Sequence, residues 1–285
     1  MLFPPTHQTL IQRLAAGGSS DDWQEFLTDY WGPVCRFARR KGGLSFVDAE
    51  DVAAETFKAL VQNQLLVRWF AHRTARLRTL LCTVVRNQVT NRARVQAGRV
   101  RLLREHGDRL EDHPGLPLLP DLDAPAEEVD AIHAAWVEDL LYRTIEALRG
   151  EYHQAGKDDY FRVLYGKLCE DMTTAEVAQS LCWTVSQVEN AYKHVRKHLA
   201  RHLEERVRDH VDRYSPAGEA EAEFAAEWAQ LGAYLKNHGG LEEAIRLAWE
   251  AGQPLEAQPG QDSSPKKTLS RLSEFFRRGD LLTGK

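Results

Sequence analysis

Apolar residues recur at three- and four-residue steps along most of this 285-residue chain, and no stretch of four to eight residues makes a convincing strand-like alternation of apolar with polar side chains. The first pattern lays an apolar stripe along a helix; the alternation that would turn one side of a strand to a core is missing. An all-α fold is therefore expected. Breaks at Ala16–Ser20, Gly42–Ser45 and Trp69–Thr74 divide a first helical domain, residues 6–109. A linker follows at 110–125, because four of the 11 prolines lie between His113 and Pro125 among acidic residues, and proline removes a helix donor and clashes with the preceding turn. A second helical domain, 126–214, breaks near Gly150–Lys157, Met172–Thr174 and Cys182–Thr184. After Ser215–Gly218 comes an extension, 215–285, with a helical stretch over Glu219–Gly252, a flexible Pro- and Ser-containing segment at 254–265 and a short amphipathic tail.

A formal charge of −5 argues against nucleic acid until its distribution is considered, since Lys and Arg on phosphates supply much of such binding. Six Arg fall between Arg92 and Arg109, and six Lys or Arg between Lys193 and Arg208. The acids collect in Asp48–Glu55, Glu111–Asp139 and Glu219–Glu227. Such a chain has local basic surfaces and would bind DNA with help from a partner. No apolar run approaches the roughly 20 residues of a membrane span, and Met1–Thr6 lacks the order of a signal peptide, so a cytoplasmic protein with no membrane partner is expected. The four cysteines, Cys35, Cys82, Cys169 and Cys182, form no CxxC pair and sit among apolar neighbours, as core thiols do. A phosphate-cradling glycine loop, a zincin helix and a paired catalytic signature are all missing. Neither catalysis nor a cofactor is expected.

Within the second domain, Thr174–Leu181 reads as a short helix opening on a threonine cap, with Glu176 in its first turn where the helix dipole favours an acid. Cys182-Trp183-Thr184 ends it, and a second helix begins at Val185. Val188, Ala191, Tyr192, Val195 and Leu199 make its apolar stripe, which leaves Ser186, Gln187, Glu189, Asn190, Lys193, His194, Arg196 and Lys197 outward. A short helix, a three-residue turn and a polar-faced second helix form the helix-turn-helix that seats a recognition helix in the major groove. His194, His198 and His202 follow at four-residue steps and invite a metal reading. No carboxylate or cysteine in the pattern completes a ligand set, so no metal is expected and the histidines are read as part of a DNA-facing surface.

In the first domain, Asp48-Ala-Glu-Asp-Val-Ala-Ala-Glu-Thr-Phe57 is an acidic helix with Val52, Phe57, Leu60 and Val61 as its apolar side. Leu77-Arg-Thr-Leu-Leu-Cys-Thr-Val-Val-Arg-Asn87 and Asn91-Arg-Ala-Arg94 follow. In this order the segments resemble the two hallmarks of region two of the extracytoplasmic-function sigma factors, and Thr173–Leu203 is similar to their region four. Tyr30-Trp31, Phe37-Ala-Arg-Arg-Lys41, Trp136, Tyr160-Phe161 and Leu164 match a variant subfamily, here with a C-terminal extension. The resemblance covers Thr9–Leu203. It departs at Ala54, at Leu77 and Leu80, and at Asn91, where the family often carries Gln, aromatics and Asp.

The resemblance implies an adaptor for core RNA polymerase that recognises promoters and melts them. Asp48, Glu50, Asp51 and Glu55 would meet the basic polymerase clamp. Trp69 and Phe70 would offer a stacking surface to a captured base of the minus-ten element, with Arg73, Arg76 and Arg78 beside it holding the backbone, because an unstacked base needs a π-face and a polar reader. Asn87 would read that base, while Arg86, Asn91, Arg92 and Arg94 would meet the surrounding DNA. The outward face of the second helix would read the minus-thirty-five element. An anti-sigma factor or another regulator has room as a further partner. The competing reading is a stand-alone helix-turn-helix regulator, which accounts for the second domain but not for the paired segments of the first.

Overall fold

A computed structural model of the protein describes residues 9–71, 76–105, 124–216 and 218–252, with side chains described outside 99–105. Every regular element among these residues is a helix, so the fold is all-α as expected: α1 (Leu10–Ala15), α2 (Ser20–Gly42), α3 (Phe46–Gln62), α4 (Leu65–Ala71), α5 (Leu77–Glu105), α6 (Ala126–Gln154), α7 (Asp158–Leu168), α8 (Thr174–Leu181), α9 (Val185–Tyr214), α10 (Ala220–Asn237) and α11 (Leu241–Gly252). The chain divides into two compact units. One takes in the described residues of 10–135 and the other those of 136–252, so the division falls within α6. The linker at 110–123, the segment 254–265 and the tail beyond it lie outside the described residues.

In the first unit α2, α3 and α5 pack on one another around Phe26, Phe37, Phe57, Leu60, Leu80 and Leu81, all fully buried. Phe57 of α3 joins the aromatic cluster, edge-on to Phe26 at 5.9 Å and stacked on Trp31 at 5.8 Å. Local chemistry sets the ends of these helices. Ser19 and Asp22 cap α2 reciprocally, and Gly43 stops it in the left-handed region at φ 57°, a conformation that costs glycine little. Ser45 caps α3 by accepting from the Asp48 amide at 3.2 Å.

In the second unit α9 is the spine. Its stripe of Val188, Ala191, Val195 and Leu199 continues through Leu203, Val207 and Val211 to Tyr214, all buried, and α7, α8 and α10 pack against it. A Cβ on Gly166 of α7 would stand 3.2 Å from Val177 of α8, so this glycine lets the two helices approach closely.

The boundaries follow the sequence reading in part. The break expected around Trp69–Thr74 follows Ala71, where α4 ends, but an unexpected one falls at Asn63-Gln64, where Gln64 adopts φ 50°. Helix α6 ends at Gln154 and the chain turns at Gly156, φ 64°, within the break expected at Gly150–Lys157. Glu219–Gly252 is two helices rather than one stretch, parted at Gly239 and Gly240, which hold φ of 78° and 99°. Adjacent residues at such angles cannot continue a right-handed helix.

Candidate nucleic-acid interface

The helix-turn-helix of the second unit is built by two capping boxes in succession. The Thr173 amide and hydroxyl each donate to Glu176 at 2.7 Å, and Glu176 returns its own amide to the Thr173 hydroxyl. The cap is thus Thr173, one residue before the threonine expected to serve. These hydrogen bonds hold the Glu176 carboxyl below the usual carboxylate range. Thr184 and Gln187 repeat the device at the start of α9, with the Thr184 amide donating to Gln187 Oε1 at 2.7 Å. Each box satisfies orphan amide donors of a helix start and stabilises it by about 1 kcal/mol.

Between them the chain reverses at Cys182, which caps α8 in the left-handed region at φ 54°; the Trp183 amide closes the turn onto the Ala178 carbonyl at 2.9 Å. Cys182 is exposed, so of the four cysteines it departs most from the core thiols expected. Cys35 and Cys82 are buried and Cys169 half-buried. Val163, Val177, Ala178, Val188 and Ala191 form the core that fixes the angle between α8 and α9.

With the stripe of α9 inward, Ser186, Gln187, Asn190, Lys193, His194, Arg196 and Lys197 are all exposed, as read from the sequence. Three of them are engaged within the chain: the His194 ring meets Tyr160 edge-on at 5.5 Å and lies 4.6 Å from that of His198. The Gln187 side chain completes the cap, and the Arg196 guanidinium pairs with Glu242 of α11 at 2.8 Å while lying over the Tyr192 ring at 5.8 Å. Glu242 was not singled out by sequence reasoning; nothing in its local pattern announces a partner on α9. Helices α10 and α11 of the extension thus belong to the same compact unit as the helix-turn-helix. Trp249 of α11 sits among Tyr142, Phe161 and Tyr165 at 5.6–6.5 Å.

The expected polymerase and minus-ten residues of the first unit lie in less open settings. Asp51 and Glu55 are exposed on α3, but Glu50 is 7% exposed and belongs to the interior, which removes it from the docking surface. Helix geometry explains this, since Glu50 is three residues before Ala53 and seven before Phe57, on the apolar side. Asp48 accepts from the Ser45 hydroxyl at 2.6 Å and from Arg92; Arg92 also reaches Asp51 at 3.6 Å. Lys58 holds Glu55 at 3.2 Å.

On α4, Trp69 is 3% exposed and packs in the core, so it offers no stacking face; Phe70 is half-buried. On α5, Arg86 and Asn87 are half-buried, and Asn91 and Arg94 exposed. Arg86 approaches Glu128 of α6 at 3.8 Å, where Lys41 is already bound at 2.6 Å. Arg78, expected to hold the DNA backbone, is 7% exposed and so does not face solvent. Arg76 is exposed, and Arg73 lies outside the described residues. Near Arg78 and Arg76, burial foremost and then these two cations push the His133 imidazole down to a pKa of about 3.

The histidine series of α9 is the largest surprise. Glu151 of α6 stands beside it, with Oε2 3.1 Å from His202 Nε2, and the donor atoms of Glu151, His198 and His202 all lie within 4.8 Å of one another. The carboxylate that the sequence pattern lacked is supplied by a different helix, too far along the chain for spacing to reveal. No helix among the described residues is long and apolar enough to cross a membrane. Compared with known proteins, the chain matches no family model, no curated protein and no solved structure.

Proposed function

We propose that this protein is a sigma factor of the extracytoplasmic-function type, which binds core RNA polymerase and directs promoter recognition and melting without being an enzyme. The observation that carries the reading is the outward face of α9. It follows a double-capped helix-turn-helix and exposes Asn190, Lys193, His194 and Lys197 together, groups that donate to phosphates and base edges. The exposed Asn91 and Arg94 on α5, with Asn87 half-buried a turn earlier, suit a second DNA contact at the minus-ten element. Asp51 and Glu55 remain the acids available to a basic clamp. An interaction in the cytoplasm follows from those partners.

The second reading, a stand-alone helix-turn-helix regulator, is favoured by one specific observation. Glu50 and Trp69, assigned to docking and base capture, are both buried. Binding to core polymerase separates the two. The charge-reversed pair Asp51→Lys with Glu55→Lys is expected to compete at least tenfold less well than wild type against another sigma factor for core enzyme. Equal competition by both proteins, or none by either, would remove the polymerase-docking assignment and leave the regulator.

A further inference from the structure

We propose that Glu151, His198 and His202 form a binding site for one divalent transition-metal ion of the zinc class, which fastens helix α9 to helix α6. The site is independent of the sigma-factor reading.

The spacing supplies the first argument. His198 and His202 are four residues apart on one helix, so their rings stand over the same face one turn apart, 6.2 Å between centroids. Two imidazoles at this spacing with a carboxylate from a second helix make a two-histidine, one-glutamate donor set, which suits zinc and leaves a position open. A tetrahedral ion with bonds of about 2.0–2.1 Å holds its donors roughly 3.3 Å apart. His202 Nε2 and Glu151 Oε2, at 3.1 Å, already meet that separation. The full spread of 4.8 Å closes with small rotations of His198 and of the long Glu151 side chain.

The second argument is the state of the nitrogens. His202 Nε2 is buried with no hydrogen-bond partner, although Glu151 Oε2 stands 3.1 Å away. Its second nitrogen, Nδ1, lies 3.8 Å from Glu205 Oε2. A carboxylate on the far side of a ligating imidazole fixes its tautomer and strengthens it as a donor. Tyr152 stacks on His198 at 6.1 Å and limits its rotation. Arg201, beside His198, and Arg206, beside Glu151, are neighbouring cations that oppose the ion, and Glu205 draws Arg201 off at 3.6 Å.

The alternative use of the same atoms is a simple ion pair between His202 and Glu151, and metal titration tells them apart. The full chain, stripped with a chelator, is titrated with Co2+ and then with Zn2+. One Co2+ per chain is expected, with visible d–d bands, no thiolate charge-transfer band, and displacement by Zn2+. Glu151→Gln, His198→Gln and His202→Gln are each expected to weaken binding by about 100-fold or more, beyond the 10–100-fold that second-shell changes cause; His194→Gln should leave it unchanged. Zn2+ should raise the melting temperature of wild type and of His194→Gln but not of the other three, which distinguishes a lost site from a misfolded variant. Co2+ binding that survives Glu151→Gln and His198→Gln undiminished, or a wild-type chain that takes up no Co2+ at micromolar concentrations, would overturn the site.

Discussion

The two units treat their charged residues differently. In the first, cations and acids are paired with each other: Arg92 joins Asp48 and Asp51, Lys41 and Arg86 share Glu128, and Glu50 and Arg78 are drawn inside. In the second, α9 keeps the polar face of its first turns outward, with Arg196 there held by Glu242, while Arg201 and Arg208 farther along pair with Glu205 and Glu221. A surface for DNA needs cations whose charge is not already neutralised. Under the proposed function, the difference favours α9 over α5 for duplex binding, and the first unit's charges would have to change partners before meeting polymerase or promoter.

The largest expected effect comes from an imidazole kept neutral inside the first unit. With a folded-state pKa of about 3 against about 6.5 unfolded, His133 takes up a proton on unfolding between these values. The stability it contributes is full above about pH 6.5 and is lost as pH falls toward 3, by on the order of 3–5 kcal/mol in all. Denaturant unfolding of the full chain across this range should lose that slope in His133→Gln. A variant with the same pH profile as wild type would contradict the neutral, buried imidazole.

DNA contacts on α9 come next. Removing one phosphate contact lowers the salt slope of binding by about one, so Lys193→Ala and Lys197→Ala are each expected to do so and to weaken duplex binding about tenfold. Fluorescence anisotropy at several salt concentrations measures both quantities. Unchanged slopes for the two variants would turn this face away from DNA and dissolve the contrast between the units.

Much of the second unit was legible because its signals are local. The stripe from Val188 to Leu199 sets the buried face of α9, a turn of fixed length separates two capped helices, and the exposed residues follow by elimination. The first unit was less legible where a side chain's role depends on what packs over it. Trp69 adjoins Phe70 and a cluster of cations in sequence, which looks like a stacking surface, yet the helix continues to Ala71 and takes the indole into the core. Glu50 reads as one of four acids on a helix until Phe57 fixes which way that helix faces. The break at Gln64 carries no glycine to announce it, whereas Gly239-Gly240 did carry the signal for a turn. Glu151 and Glu242 lie beyond any local pattern, since only tertiary packing brings them to α9.

Smaller effects sharpen the comparison. Cys182→Gly places glycine where the turn demands φ of 54°, and should stabilise the second unit by about 0.5–1 kcal/mol, read as a raised denaturation midpoint; no shift would mean that the exposed thiol offsets the strain. Glu242→Gln frees Arg196 and is expected to tighten duplex binding two- to threefold, the scale of an exposed ion pair. Weaker or unaltered binding would mean that Arg196 does not reach DNA.

The most direct test of the central claim is run-off transcription by core RNA polymerase on a genomic library, with and without this protein. The account predicts discrete transcripts from a shared promoter sequence only when both are present, lost with Asp51→Lys/Glu55→Lys and reduced with Asn87→Ala on duplex but not on premelted templates. Tight duplex binding by the protein alone, with no new transcript when polymerase is added, would contradict it.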